Sequence, residues 1–135
     1  MNMGDLAQKA ECTFCGIDPA RVVLENDYAV VIFDGFPVSH GHMLVIPKRH
    51  VASFFETTTQ EQFALLHLLA QARAGLQVDF NPDGFNVGIN DGASAGQTIM
   101  HLHIHLIPRY SGDMPDPRGG VRWIMPDKAV YWESP

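Results

Sequence analysis

The chain has 135 residues, 46% apolar and 18% charged, a balance that suits one packed domain and excludes a disordered chain. Nine Lys and Arg against fifteen Asp and Glu give a formal charge of -6, which disfavours a surface for duplex nucleic acid. Any bound phosphate must then be held by local groups (backbone N–H, histidine or a nearby arginine) against an unfavourable overall field.

No apolar run approaches membrane-spanning length, and the N-terminal "MNMGDLAQKAECTFC" lacks the apolar centre of a secretory signal. A cytoplasmic protein with no membrane partner is expected. Residues 1–20 read as an arm carrying "CTFC", with Cys12 and Cys15 the only cysteines. "RVVLENDYAVVIFD" reads as two strands, Arg21–Leu24 and Tyr28–Phe33, joined at "END". "HMLVIP" is a further strand, closed by Pro47. "TTTQEQFALLHLLAQARAGL" is the one long helix: Thr58 and Glu61 form a capping-box pattern, and Phe63, Leu65, Leu66, Leu69, Ala72 and Leu76 an apolar stripe. After the turn "NPDGF" come the strand "FNVGIN", the Gly-rich loop "DGASAGQ" and a last strand, "HLHIHLI". The sum is an α+β domain over 1–135: a mostly antiparallel sheet of about five strands, one long helix packed on it, and an irregular C-terminal arm over 109–135. The aromatic residues of that arm predict packing against something, a partner subunit being the natural choice.

Strand alternation places His101, His103 and His105 on one face and Leu102, Ile104 and Leu106 on the core face, so the histidines are expected to line an accessible cleft. Alternate residues lie about 6.6–6.8 Å apart along a strand, too far for three to converge on one ion with bonds of about 2 Å. Two neighbours in a His-x-His pair remain able to bind a metal, as in a metal-dependent oxygenase or hydrolase. The other use of imidazole is as a nucleophile, with its neighbours fixing the tautomer and protonating the leaving group. Asp34 in "FDGF" and Asn90 in "INDG" read on their own as turn formers. His40 and His67 read as surface residues.

The Cys-x-x-Cys pair leaves three readings open. A redox pair normally follows a strand and starts a helix, and nothing before Cys12 reads as a strand. A disulfide does not suit the cytosol. Half of a zinc site needs two further ligands.

"HLHIHLI" resembles the His-φ-His-φ-His-φ-φ signature of the histidine triad superfamily, and the resemblance extends through "NDGASAGQTIMHLHIHLIPR" and "FDGFPVSHGHMLVIPKRH" over most of Val22–Arg109. It implies the triad fold and an enzyme attacking the α-phosphorus of a nucleotide with His103. His105 would sit by the scissile bridging oxygen, and the His101 carbonyl would orient the nucleophile. Gln97, Thr98 and Asn90 would contact phosphate, Asp34 would bind ribose, His42 would be a fourth pocket histidine, and the apolar Phe14 and Ile32 would stack on the base. Resemblance to bacterial triad proteins with a zinc site implies Cys12, Cys15, His50 and His101 as its ligands. "GQT" and "IPR" resemble the diadenosine-polyphosphate and fragile-histidine-triad side. The expected reaction is therefore hydrolysis of a dinucleoside polyphosphate through a nucleotidyl-histidine, releasing a nucleoside monophosphate. Phosphoramidate hydrolysis and a nucleotide-binding regulator with little turnover are the alternatives. Arg109, Arg118 and Arg122 are candidates for distal phosphates or for ordinary surface roles, and the resemblance also implies a homodimer.

Overall fold

The computed structural model describes residues 11–133. The parts of the two predicted arms at 1–10 and 134–135 lie outside the described residues. Five strands, β1 (Val22–Glu25), β2 (Ala29–Phe33), β3 (Met43–Pro47), β4 (Gly84–Gly88) and β5 (Ile104–Arg109), form one antiparallel sheet in the order β1-β2-β3-β5-β4. Helix α1 (Thr59–Asp79) crosses between β3 and β4, and a short helix α2 (Pro126–Ala129) lies near the C-terminus. Among the described residues, no helix is long and apolar enough to cross a membrane.

Period-two alternation divides the strands between two apolar layers. Ala29, Val31, Met43, Val45, Ile104 and Leu106 meet Leu65, Leu68, Ala72 and Leu76 of α1. Ile32, Leu44 and Ile46 face the other way and are covered by Phe14 of the N-terminal segment. Fully burying each such side chain contributes about 1.5–3 kcal/mol, so both faces stabilise the sheet.

Helix α1 begins as its sequence dictates. The Thr58 hydroxyl accepts from Glu61 N–H at 3.1 Å, and the Glu61 carboxylate accepts from Thr58 N–H at 2.9 Å. Its apolar stripe differs from the expected one. Leu65, Leu68, Ala72 and Leu76 are buried, whereas Phe63 and Leu66 are 74% and 51% exposed. At about 100° per residue, Phe63 lies roughly 200° around the helix from Leu65, so both cannot face one sheet. Buried Glu61 extends the packed stripe by one turn, its carboxylate held by Arg49 Nε at 3.0 Å and a second guanidinium nitrogen at 2.8 Å. That hydrogen-bonded guanidinium keeps the Glu61 carboxyl below its ordinary pKa.

Two further expectations are corrected at the C-terminal side. The last strand does not begin at His101: its ladder starts at Ile104 and runs past Pro108 to Arg109. Pairing with β3 has ended by Leu106, so the missing proline N–H costs no ladder bond on that side. The C-terminal arm is not wholly irregular either. It holds a 3-10 turn at Gly120–Ile124 followed by α2, whose Ala129 is fully buried.

Candidate active site

Leu102, Ile104 and Leu106 are buried as the alternation requires, but the three histidines do not share one open face. His101 is completely buried, while His103 and His105 are partly exposed. The reason lies upstream of the ladder. Leu102 N–H donates to Val51 O at 2.7 Å, which docks the segment around His101 against the loop carrying His50. His105 sits within the sheet between Leu44 of β3 and Gly88 of β4.

Backbone groups determine where each ring carries its proton. His103 Nδ1 lies 2.9 Å from the carbonyl oxygen of His101. A carbonyl only accepts, so Nδ1 carries hydrogen and Nε2 keeps a lone pair. On the other side, Val38 N–H donates to His42 Nδ1 at 3.1 Å, which places the His42 proton on Nε2. That Nε2 is 2.9 Å from His105 Nδ1, so His42 donates and His105 accepts. Neutral His105 therefore carries its proton on Nε2. The neighbouring rings of His103 and His105, 5.2 Å apart, thus present a bare nitrogen and an N–H respectively.

Burial lowers the pKa of His42, an effect partly opposed by Asp34, whose carboxylate lies 3.4 Å from Nε2. Burial also lowers that of His105, with His103 and His42 adding to the effect. Neutral rings are what the proton assignments require. Gly41 makes the approach to His42 possible. Its φ of 90° suits glycine, and a Cβ there would lie 3.1 Å from Leu76 Cδ2.

Cys12, Cys15, His50 and His101 form a second cluster, their ligand atoms all within 4.8 Å of one another. His101 Nδ1 is 3.3 Å from Cys12 Sγ and 3.5 Å from Cys15 Sγ. His50 Nδ1 is 3.2 Å from both Cys15 Sγ and His101 Nδ1. Bonds of 2.0–2.3 Å around a tetrahedral zinc imply edges of about 3.3–3.8 Å, so the donor set and its size fit. His101 Nε2 donates to the Pro47 carbonyl at 2.8 Å, leaving Nδ1 free of hydrogen and aimed at the two sulfurs. Burial lowers the pKa of this imidazole, against the opposing effect of the Pro47 bond. The two thiols are not joined in a disulfide. Asp34, His42 and His105 are also close together, but their 2.9 Å ring-nitrogen separation is that of a shared hydrogen.

The remaining expected residues divide sharply. Asn90 lines a cavity of about 740 Å3 together with His42 and His105. Asp34 forms the turn its sequence suggested, one oxygen accepting from Phe36 N–H at 2.9 Å, while its other oxygen lies 3.4 Å from His42 Nε2. Gln97 is buried, its amide nitrogen donates to Ala52 O and Ile99 O, and its oxygen accepts from Gly92 N–H, so its side chain braces the Gly-rich loop. Thr98 is exposed and lines a different depression, beside Cys12 and His50.

Ile32 has no exposed surface, and Phe14 is 8% exposed, with its edge against His103 and part of its surface lining a shallow depression with Ile17 and Val30. Arg109 is held by Asp113 and Asn86, Arg118 by Asp116 and the Trp132 ring, and Arg122 by the Ala129 carbonyl. The His101 carbonyl stands where the resemblance implied it, but the backbone groups of Val38 and Pro47 escaped the sequence reading, because a main-chain donor or acceptor leaves no mark on residue type.

The HIT-domain family model matches residues 16–112. This chain belongs to the HIT family. A 16.1 kDa HIT-like protein of Mycoplasma pneumoniae is 42% identical over 73% of this chain and 72% of its own length. The AP-4-A phosphorylase of Mycobacterium tuberculosis is 34% identical, over 68% of this chain but only 48% of that protein. Among solved structures, a Zn-bound histidine triad protein from Mycobacterium smegmatis is 32% identical with a TM-score of 0.70, over 80% of this chain and 86% of that one. The five-stranded antiparallel sheet with one long helix is thus a HIT fold, in a family that binds nucleotides.

Proposed function

We propose that this HIT chain is a nucleotidyl hydrolase that cleaves at the α-phosphate through a covalent intermediate on His103. The observation that carries the reading is the proton assignment: Nε2 of His103 is a bare nucleophile because Nδ1 is held by the His101 carbonyl. His103 Nε2 attacks phosphorus, the bond to the leaving group breaks with its electron pair on the leaving atom, and His105 Nε2–H, keeping its proton, hydrogen-bonds to that atom. His42 supports His105 from behind. A polyphosphate departs as its anion, and an amine takes its proton from solvent. Water then adds hydroxide to phosphorus, frees His103 with the electron pair of the phosphorus–nitrogen bond and gives its other proton to solvent, releasing a nucleoside monophosphate. Asp34 takes the ribose hydroxyls and Asn90 a phosphate oxygen.

His103→Asn is expected to lower kcat by on the order of 10⁴-fold or more while nucleotide Kd changes only a few-fold. Wild-type turnover in that variant would end the assignment. The nucleotide-binding regulator differs only in turnover, so the same assay on the wild-type protein separates it.

The dinucleoside polyphosphate reading draws on the similarity to an AP-4-A phosphorylase. A second reading, phosphoramidate hydrolysis, is favoured by one observation: Arg109, Arg118 and Arg122 are all engaged within the chain. We also place zinc on Cys12, Cys15, His50 and His101, supported by their geometry and by the Zn-bound relative. Four protein ligands leave no open position, which makes the metal structural. We also place the protein in the cytoplasm, where the thiols of a Cys/His metal cluster stay reduced. Exposed Phe63 and Leu66 on α1 favour a homodimer, for which light scattering should give twice 14.9 kDa and a stable monomer would count against it.

A further inference from the structure

The Cys-x-x-Cys turn touches the triad in a way that an anchoring role alone does not require. Phe14 stands between the two cysteines, and its ring edge meets His103 at 5.1 Å between centroids and His101 at 6.0 Å. The same ring covers Ile32, Leu44 and Ile46 on the second face of the sheet, with Cys12 packed beside it. The turn therefore bears on His103 by two routes. One is Phe14 itself. The other is His101, whose ring belongs to the Cys/His cluster and whose carbonyl holds Nδ1 of His103. A change at the two sulfurs reaches both supports at once.

The sulfurs are placed for such a change. Cys15 N–H donates to Cys12 O at 3.2 Å, closing a single turn that brings the two Cα atoms within about 7 Å. The two Sγ atoms lie within 4.8 Å of each other. Disulfides span Cα separations of about 4.4–6.8 Å, so side-chain rotation with little backbone movement can join them. Both are open to a small reagent. Cys15 is exposed and lines the shallow depression with Ile17 and Val30, while the half-buried Cys12 lines the one that holds Thr98. A cysteine held by a metal ion is a thiolate, which is the form that attacks a peroxide.

We propose that Cys12 and Cys15 form a hydroperoxide-sensitive modification site whose oxidation to a disulfide switches off turnover at His103. The assignment rests on the nucleotidyl-transfer and zinc readings above. The Cys15 thiolate attacks the peroxide: a sulfur–oxygen bond forms, the oxygen–oxygen bond breaks, and hydroxide leaves. The Cys12 thiolate then attacks that sulfur, the sulfur–oxygen bond breaks, and a second hydroxide leaves. Two thiolates have lost two electrons and one peroxide has gained them. Both anionic ligands are then consumed, and the two neutral imidazoles of His50 and His101 are too few to hold a zinc ion. Its loss releases His101 and the turn together, and with them both supports of the His103 ring. A dithiol reductant followed by zinc reverses the change.

The test treats the purified full chain with hydrogen peroxide and follows three quantities over one time course. They are zinc released to a metallochromic dye, the mass of the peptide holding Cys12 and Cys15, and kcat for an adenosine 5′-phosphoramidate. About one zinc per chain should be released, the peptide should lose two hydrogens, and kcat should fall about tenfold or more, all at one rate. Dithiothreitol with added zinc should restore kcat. In Cys12→Ser and Cys15→Ser, whatever turnover remains should be unchanged by peroxide, and the wild-type time course decides if either variant fails to fold. Loss of kcat with zinc and both thiols in place, a disulfide that leaves kcat intact, or a loss that dithiothreitol and zinc do not reverse overturns the assignment. A zinc-loaded, active protein that peroxide leaves unchanged defeats this inference alone. An untreated protein without zinc, or without turnover, defeats the underlying readings with it.

Discussion

At the residue scale, the site works by removing choices from imidazole rings. A solvated histidine samples two tautomers and a cation near neutral pH. Here Val38 N–H, the His101 carbonyl and the Pro47 carbonyl each fix one nitrogen of His42, His103 and His101. The pKa values of His42 and His105 lie below the ordinary histidine value because of burial, which has a consequence for stability. Below pH of about 6.5 the unfolded chain takes up protons that these folded rings refuse. The unfolded state then binds more protons, and stability falls as pH falls from about 6.5 toward 5. Melting temperatures at pH 7.5, 6.5 and 5.5 should show a plateau above neutrality and a drop on the acid side; a rise toward pH 5.5 would contradict the assignment of neutral rings.

At the scale of elements, the connection between β3 and α1 ties the metal cluster to the core. Arg49 and His50 are adjacent: one grips Glu61 in the first turn of α1, and the other reaches Cys15. Glu61→Ala removes the ion pair and half of the capping box together. The Arg49 side chain is half exposed, which limits the ion pair's share, so the loss should be about 1–3 kcal/mol in urea titration. A change near zero would mean that the cap and the bridge contribute nothing.

The same elements show what a sequence reading can and cannot reach. Alternation located Leu102, Ile104 and Leu106 in the core, and the Thr58–Glu61 spacing located the helix start, because both signals are carried by side-chain type. Phe63 and Leu66 were misjudged because hydrophobicity alone does not say which side of a helix has a sheet beside it. The loop-bracing bonds of Gln97 were not legible for a related reason: an amide that donates to phosphate and one that braces a loop are the same residue type. His101 lies beside Cys12, Cys15 and His50, but its complete burial depends on the docking of Leu102 N–H on Val51 O, a backbone contact without a sequence signature.

At the scale of the whole molecule, His101 joins two functions. Its ring belongs to the Cys/His cluster, and its carbonyl holds His103, the proposed nucleophile. Zinc there would clamp the N-terminal segment, the His50 loop and the triad strand into one unit. Metal analysis of the purified protein should give about one zinc per chain, with Cys12→Ser and Cys15→Ser both losing it. Removal by a strong chelator should lower the melting temperature and activity together, through displacement of the His101 carbonyl, and zinc should restore both. Loss of activity at an unchanged melting temperature would instead point to a metal acting in the reaction itself.

The most direct measurement is to quench the protein within a single turnover of an adenosine 5′-phosphoramidate and map the modified peptide by mass spectrometry. An acid-labile adenylyl group on the ring of His103, absent in His103→Asn, is the expected result. Complete turnover without that adduct, or an adduct on a different side chain, would contradict the proposal that His103 is the nucleophile.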